Sequence, residues 1–188
     1  MKNSRNFRER SAYPTSDEPD LMNRGLKPFG LEVVQEMNRL GMLIDVSHMS
    51  DGGFWDCIKH STKPIVASHS NARVLCPARR NMTDDMFKAL AEKGGVSGVN
   101  FYPYFVQKDG KCTADDIASH VAHMIQVGGE DLPAVGTDFD GYDRGESEIT
   151  HVSQMDLFYH AMEKAGLTPR QIDKVCYENV LRVMQEVL

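Results

Sequence analysis

The sequence lacks the features that define several common classes of protein. No run approaches the ~18 consecutive apolar residues of a membrane-spanning helix, and the polar start has no apolar core of a signal peptide. Lys and Arg number 21 against 27 Asp and Glu, so the net charge is −6 and the chain is a poor candidate for binding nucleic acid. Neither Gly-x-Gly-x-x-Gly after an apolar segment nor G-x-x-x-x-G-K-[ST] occurs, which disfavours dinucleotide and nucleotide-phosphate sites.

Cysteine is also scarce and badly spaced for cross-linking. The four cysteines, Cys57, Cys76, Cys112 and Cys176, form no C-x-x-C pair. A disulfide framework or a zinc ribbon is therefore disfavoured. Free thiols fit a reducing compartment, so the sequence predicts a cytoplasmic protein.

What remains is an ordinary globular composition over 188 residues, with 41% hydrophobic and 26% charged residues. Residues 1–28 are polar and predict an extended lead-in, and residues 29–188 predict one folded domain. Four short apolar segments without strict alternation predict buried parallel strands. They are Met42–Val46, Pro64–Ala67, Gly95–Asn100 and Ala134–Gly136.

Helical patterns separate and flank these segments. The predicted helices cover 29–40, 51–60, 83–93, 113–127, 152–165 and 168–188. Thr83 and Thr113 precede acidic first turns and are expected to be N-caps, and Gly41 is expected to end the first helix. Repeated alternation of strand and helix predicts an α/β fold with a parallel sheet and right-handed crossovers.

Chemically active side chains follow three of the predicted strands. The first strand leads into His48, the second into His69 and the fourth into Asp138. Because the carboxyl ends of parallel strands form the functional face, the two histidines are expected to converge on one point. Imidazole and carboxylate suit zinc, so the pattern favours a metal site, with structural hydrogen bonds as the alternative.

Other polar residues are weaker candidates. Asp45 lies within the first strand and could orient a ligand or make a structural hydrogen bond. His120 and His123 share the face of a predicted outer helix, far from the strand ends, which disfavours a metal site there. In the pair Arg79-Arg80 a guanidinium could clamp a carboxylate in bidentate fashion, although an ordinary surface arginine is the better explanation on these grounds.

Several segments resemble the membrane (renal) dipeptidase family of zinc metallopeptidases. The segments are LGMLIDVSHMSD, PIVASHSNAR, RRNMTDD, GGVSGVNFY, VGTDFDGY and ENVLRVM, and the resemblance covers the chain from about Arg24 to its end. It implies a (β/α)8 TIM barrel with two zinc ions that cleaves dipeptides, including those with a D-residue in the second position.

The resemblance also assigns roles to individual residues. His48 and His69 resemble the two histidine ligands of one metal, and Asp138, the first Asp of DFDG, resembles the catalytic aspartate. Arg80 resembles the residue that receives the substrate carboxylate. Tyr102, after the third strand, is expected to line the pocket, with simple packing as the alternative. Spacing cannot choose between Asp138 and Asp140, so that choice rests on the resemblance.

Part of the family's site has no counterpart in this sequence. The resemblance implies a His-x-Asp ligand pair, a glutamate that bridges both metals and a further histidine, but no His-x-Asp occurs here. Glu32 and Glu36 lie on the first predicted helix and cannot replace the bridge. Only four strands are predicted, whereas a full barrel needs eight and about 250 residues.

The expectation is therefore a partial barrel of about four parallel βα units plus a C-terminal helix, equivalent to the family's C-terminal half. Its open edges and uncovered inner face would favour a homodimer. The implied function is zinc-dependent hydrolysis of dipeptides, impaired in this chain. The alternatives are another metal-dependent amidohydrolase of the same barrel type and a non-catalytic half-barrel.

Overall fold

The computed structural model describes residues 22–142 and 145–188, so most of the expected lead-in, residues 1–21, lies outside the described residues. Eight α-helices are described: α1 Pro28–Leu40, α2 Asp51–His60, α3 Asp84–Glu92, α4 Pro103–Val106, α5 Ala114–Gly128, α6 Met155–Lys164, α7 Pro169–Asp173 and α8 Asn179–Val187. Short 3-10 turns cover Phe139–Gly141 and Val152–Gln154, and a π-helical turn, Lys174–Glu178, joins α7 to α8.

The strands are short and parallel. They are β1 Val66–Ala67, β2 Val96–Val99, β3 Lys111–Cys112, β4 Pro133–Val135 and β5 Glu146–Ser147. The main sheet has the order β1-β2-β4, and β3 pairs with β5 in a separate two-stranded sheet. Helices connect successive strands of the main sheet, so the predicted α/β fold with parallel strands is confirmed.

Most helix limits follow the predicted caps. The Thr83 hydroxyl accepts a hydrogen bond from the Met86 N–H, and Thr113 forms a full capping box with Asp116. Gly41 ends α1 in the left-handed conformation, with φ 67°. These predictions are confirmed because caps depend on neighbours within one helical turn.

Three predictions about elements need correction. The segment Met42–Val46 is not a full strand, because its ladder with β1 is limited to one parallel bridge, Asp45 to Val66. The sequence reasoning missed the β3–β5 pair, whose two strands are too short for a hydrophobic pattern. The last predicted helix contains a π-helical turn at Lys174–Glu178 and is not a single regular α-helix.

The core joins the helices to the central strand of the main sheet. Phe87 and Leu90 of α3 and Ile117 and Val121 of α5 are fully buried in the main cluster. All four residues of β2 are buried. The expected uncovered inner face is therefore wrong for β2, because a second cluster joins β2 and β4 to the apolar side of α8.

Two glycines make room for the segment that carries His69. A Cβ atom on Gly98 or Gly136 would lie within about 2 Å of the Ser68 carbonyl oxygen. Backbone atoms cannot yield to such a contact, so glycine is required at both positions. The missing side chains let the end of β1 approach β2 and β4.

His120 on α5 forms hydrogen bonds with two loops beside this edge of the sheet. Its Nδ1 accepts a hydrogen bond from the Ala72 N–H, and its Nε2 donates to the Val106 carbonyl, each over 3.1 Å. The ring is therefore neutral, and its burial is the main reason why its pKa lies below the usual value.

Acidification is expected to weaken the fold through His120. Below about pH 6.5 the unfolded chain binds a proton on this ring and the folded chain resists it, so the free energy of unfolding falls as pH drops. His120→Asn should lower the free energy of unfolding by about 1 to 3 kcal/mol at pH 7.5. The variant should also show a weaker dependence of that free energy on pH. Urea titrations at pH 7.5 and 5.5 measure both effects. His160→Asn, on an exposed ring, is the control; equal pH dependence in wild type and His120→Asn would contradict the prediction.

Candidate metal centre

The two strand-end histidines meet. The Nε2 atoms of His48 and His69 lie 3.0 Å apart, and the ring centroids are separated by 5.0 Å at an edge-on angle of 61°. Two nitrogen ligands of one tetrahedral zinc ion are about 3.3 Å apart when each Zn–N bond is 2.0–2.1 Å. The predicted convergence is confirmed, and the spacing suits a shared ion if the two Nε2 atoms move slightly apart.

Parallel pairing brings these histidines into register. The Val66 N–H donates to the Ile44 carbonyl, and the Val46 N–H donates to the Val66 carbonyl. The segment before His48 is thereby aligned with β1, which leads into His69. The Ser47 hydroxyl then accepts a hydrogen bond from the His69 N–H over 2.9 Å, which joins the two strand ends directly.

A carboxylate lies behind this pair. The Asp45 side chain accepts hydrogen bonds from the Ser47 N–H and from both the N–H and the hydroxyl of Ser68. The Ser68 hydroxyl lies 2.7 Å from the His69 Nδ1. Asp45 therefore reaches the histidine through Ser68, a role that no pattern in the sequence predicts.

Burial, aided by one nearby positive charge, favours the neutral form of the His69 ring. Burial and the positive charge of Arg80 lower its pKa, against the opposing influence of the Asp138 and Asp45 carboxylates. A neutral imidazole is the form that binds metal ions. The same interactions place Arg80 and Asp138 within electrostatic reach of the histidine pair.

Asp138 has an unusual backbone. It is the one non-glycine residue with positive φ, at 61°, among residues 22–142 and 145–188. A Cβ on Gly141 would lie 1.9 Å from the Asp138 Oδ1, so Gly141 makes room for the carboxylate. Asp140, the alternative candidate, is exposed.

Two asparagines support Asp138, and one of them, Asn100, directly follows β2. The Asn100 amide donates to the Asp138 Oδ2 over 3.2 Å, and its Oδ1 accepts from the Tyr102 N–H. Buried Asn71 holds Asn100 in turn, accepting its N–H and donating to its carbonyl. This role was not predicted, and the only signal for it in the sequence was an asparagine at the end of a predicted strand.

Arg80 is not an ordinary surface arginine. Only 9% of its surface is exposed, and its guanidinium lies 5.5 Å from the centre of the Phe105 ring. Arg80 also lines a cavity of ≈ 10 Å³ that Ser47 borders, so it adjoins the histidine-bearing segment. Tyr102 packs edge-on against Phe105, with the ring centroids 4.7 Å apart. Tyr102 and Arg80 therefore contact the same aromatic ring and lie in the same group of side chains.

The metal-binding capacity of the described residues is limited. His48 and His69 fit one zinc ion in chemistry and spacing, but no group of three or more His, Cys, Asp or Glu side chains within 22–142 and 145–188 is arranged to hold a metal. His120 and His123 point to other partners, the second being the Asp84 carboxylate. The same described part of the chain has no helix that could cross a membrane.

Comparison with known proteins decides the family. Residues 3–188 match the membrane dipeptidase family, peptidase family M19. The chain belongs to this family. The resemblance of the strand-end motifs is thereby confirmed, and the fold agrees with solved structures of family members.

Individual relatives show the extent of the similarity. An uncharacterized dipeptidase of Schizosaccharomyces pombe is 40% identical over 169 residues, which are 88% of this chain and 41% of that protein. A metallo peptidase of Rhodobacter sphaeroides, solved with a phosphinate mimic of the dipeptide L-Ala-D-Ala, is 32% identical with a TM-score of 0.82; the match covers 87% of this chain and 48% of that one. A Pseudomonas aeruginosa amidohydrolase is 31% identical with a TM-score of 0.79 over 87% of this chain and 58% of that one.

The chain matches only part of the length of its relatives. The chain spans between 40 and 61% of the length of three curated relatives of this family. Its described residues form a sheet of three strands and one added bridge, which is similar to part of those solved structures.

Proposed function

We propose that this chain supplies one part of a metal-dependent dipeptidase site, equivalent to the C-terminal half of a (β/α)8 barrel. The observation that carries the proposal is the convergence of the His48 and His69 Nε2 atoms at 3.0 Å, on adjacent strand ends of a chain from the membrane dipeptidase family. Two histidines at the carboxyl edge of a parallel sheet are suited to hold a hydrolytic metal.

The two histidines would hold zinc through their Nε2 atoms. Zinc bound in a complete two-metal site would supply Lewis-acid chemistry, polarising the scissile carbonyl and lowering the pKa of the attacking water. The remaining ligands that the family resemblance implies, a His-x-Asp pair and a bridging glutamate, have no counterpart in this sequence. This chain alone is therefore an incomplete site.

Asp138 handles the proton. Its carboxylate takes one proton from the attacking water as the water oxygen bonds to the carbonyl carbon. It then gives that proton to the amine nitrogen as the C–N bond breaks, so the amine leaves uncharged and Asp138 is a carboxylate again. Asn100 fixes the carboxylate by donating to Oδ2. A residue in the sparsely populated left-handed region is often maintained for function, and Asp138 is in that region.

Arg80 binds the free carboxylate of the substrate. Its guanidinium is largely removed from water beside Phe105, which strengthens its attraction for an anion. A cation at a fixed distance from the reacting centre restricts the substrate to dipeptides and other very short peptides. Tyr102 forms part of the same pocket wall through its contact with Phe105.

The thiols and the strand edges support the proposed compartment and assembly. Cys57, Cys76, Cys112 and Cys176 are free, which fits a reducing compartment such as the cytoplasm. Among the described strands, β4 and the segment before His48 each pair on one side only. These edges suit either the rest of a barrel or a second copy in a homodimer.

A chimeric barrel tests the proposal. Residues 22–188 are fused to the part of the Rhodobacter sphaeroides metallo peptidase that this chain does not cover. With zinc, the chimera is expected to hydrolyse L-Ala-D-Ala and to prefer it over its C-terminal amide by about 10- to 100-fold in kcat/KM, the value of a charged hydrogen-bonded contact. Ninhydrin or chromatographic assays of released alanine measure this.

The Arg80→Met chimera should lose the preference and keep activity toward the amide. The similarity to an amidohydrolase structure makes cyclic amides and N-acylated amino acids the necessary comparison substrates. A folded, zinc-loaded chimera that cleaves those amides and leaves dipeptides intact would replace the dipeptidase proposal with the amidohydrolase one.

A further inference from the structure

We propose that Asp45 and Ser68 are positioning residues for His69, forming a one-way hydrogen-bond chain that fixes the proton of its ring on Nδ1. The chain runs from the His69 Nδ1–H to the Ser68 hydroxyl and from that hydroxyl to the Asp45 carboxylate. It leaves the lone pair of Nε2 directed at His48. The proposal rests on the proposed function only where it treats Nε2 as a zinc ligand.

The direction of the chain follows from what each group can donate. The Asp45 Oδ1 accepts the backbone N–H groups of Ser47 and Ser68, each over 3.0 Å, and Oδ2 accepts the Ser68 hydroxyl over 2.5 Å. An ionised carboxylate has no proton to donate. The single hydroxyl proton of Ser68 is therefore committed to Asp45.

Asp45 remains ionised. Loss of water around the carboxylate raises its pKa, but the hydrogen bonds from Ser68 and Ser47 outweigh that influence and hold the pKa below its usual range. A short hydrogen bond from a hydroxyl to a carboxylate is of the strong, charge-assisted kind.

The Ser68 oxygen can then only accept from the histidine ring. It lies 2.7 Å from the His69 Nδ1, so that nitrogen must carry the ring proton. The Ser47 hydroxyl completes the set, because it accepts the His69 backbone N–H over 2.9 Å and lies 3.2 Å from the Ser68 oxygen. Ser47 therefore fixes the backbone of His69, and Ser68 fixes its ring.

This tautomer is the one in which His69 can bind a metal ion through Nε2. With its proton on Nδ1, the neutral His69 ring has an unprotonated Nε2, and the 3.0 Å contact between the rings is donated by His48. Carboxylate partners of metal-binding histidines act in this way, and losing them typically weakens metal binding by about 10- to 100-fold. Here a serine hydroxyl stands between the carboxylate and the ring.

Asp45→Asn is the sharpest test because it reverses the chain without changing its shape. The amide oxygen can still accept both backbone N–H groups, but the NH2 group faces Ser68 and donates to it. The Ser68 hydroxyl then donates to the His69 Nδ1, and the ring proton moves to Nε2. The same substitution acts through the wrong tautomer in the serine-protease triad.

Two measurements on the 188-residue chain follow this change. In 15N-labelled protein, two-bond 1H–15N correlations identify the protonated ring nitrogen; we expect Nδ1–H in wild type and Nε2–H in Asp45→Asn. Titration with zinc, read by competition with a chromophoric chelator, should show binding weakened about 10- to 100-fold in the variant. Neither measurement depends on peptide hydrolysis.

Ser68 provides the second variant and the rescue. Ser68→Ala should no longer hold the ring proton of His69 on Nδ1 and should weaken zinc binding. Ser68→Thr keeps a hydroxyl and should retain both the Nδ1–H tautomer and the zinc affinity. Ser119→Ala, which removes an exposed hydroxyl from α5, is the matched control and should change neither. Intact backbone spectra show that each variant is folded.

The outcomes separate the two proposals. An Nε2–H tautomer in the wild type, or an unchanged tautomer in both Asp45→Asn and Ser68→Ala, overturns the positioning role. A tautomer that shifts as expected while the chimera hydrolyses no dipeptide upholds the positioning role and rejects the proposed function.

Discussion

In the chimeric barrel, Asp138→Asn is expected to lower kcat for L-Ala-D-Ala by about 100- to 10,000-fold, the usual contribution of a positioned acid or base. KM should change little, because the proton transfer occurs in the transition state and contributes little to binding of the ground state. Asparagine tolerates the left-handed backbone that Asp138 adopts, so the loss reports chemistry and not misfolding. Steady-state kinetics with bound zinc quantified by metal analysis test the prediction.

Asp140→Asn is the matched control two residues away. Its side chain is exposed, and the same change of charge there should leave kcat within a few-fold of wild type. A larger loss in Asp140→Asn than in Asp138→Asn would reverse the assignment, which rests on the family resemblance and on the contact between Asp138 and Asn100.

The second expected result is that the 188 residues alone hydrolyse no dipeptide above background, even with added zinc. The reason is the number of ligands: in the proposed site His48 and His69 would hold one ion, and at most Asp138 would hold another. A homodimer would not complete the site, because a second copy brings the same residues and again lacks His-x-Asp. Without the shared carboxylate, neither the charge nor the geometry needed to activate water is present.

The assay compares purified chain with the chimeric barrel at equal zinc and substrate concentrations. Sedimentation velocity on the same samples reports whether the chain is a monomer or a homodimer. Turnover by the chain at the rate of the chimera would show that the ligand set has been misassigned. Activity confined to the chimera would support the division of the site between two parts of a barrel.

Local features of this protein were predictable from the sequence because their causes are local. The caps at Thr83 and Thr113 and the left-handed end at Gly41 depend on residues within one helical turn. The convergence of His48 and His69 was also predictable, since parallel strands end at one edge of the sheet.

The supporting contacts were not predictable in the same way. Asn71 lies 29 residues from Asn100, and Asn100 lies 38 residues from Asp138. Ser68 could not be distinguished from any other serine until the bridge between Asp45 and Val66 set the register of the two segments. The β3–β5 pair joins strands of two residues each, too short for any periodic pattern.

By itself, then, the sequence determined the α/β class, the family and the residues with reactive side chains. The alternation of strands and helices predicts the class, and the motifs at the strand ends identify the family and the reactive residues. Only the tertiary structure decided that Arg80 is buried beside Phe105, that Asp138 adopts a left-handed backbone, and that Ser68 links Asp45 to His69. The contacts of Arg80 and Ser68 depend on the distance between segments far apart in the chain. A hydrogen bond forms or fails within a few tenths of an ångström, and such distances are set only when the sheet and its helices are packed together.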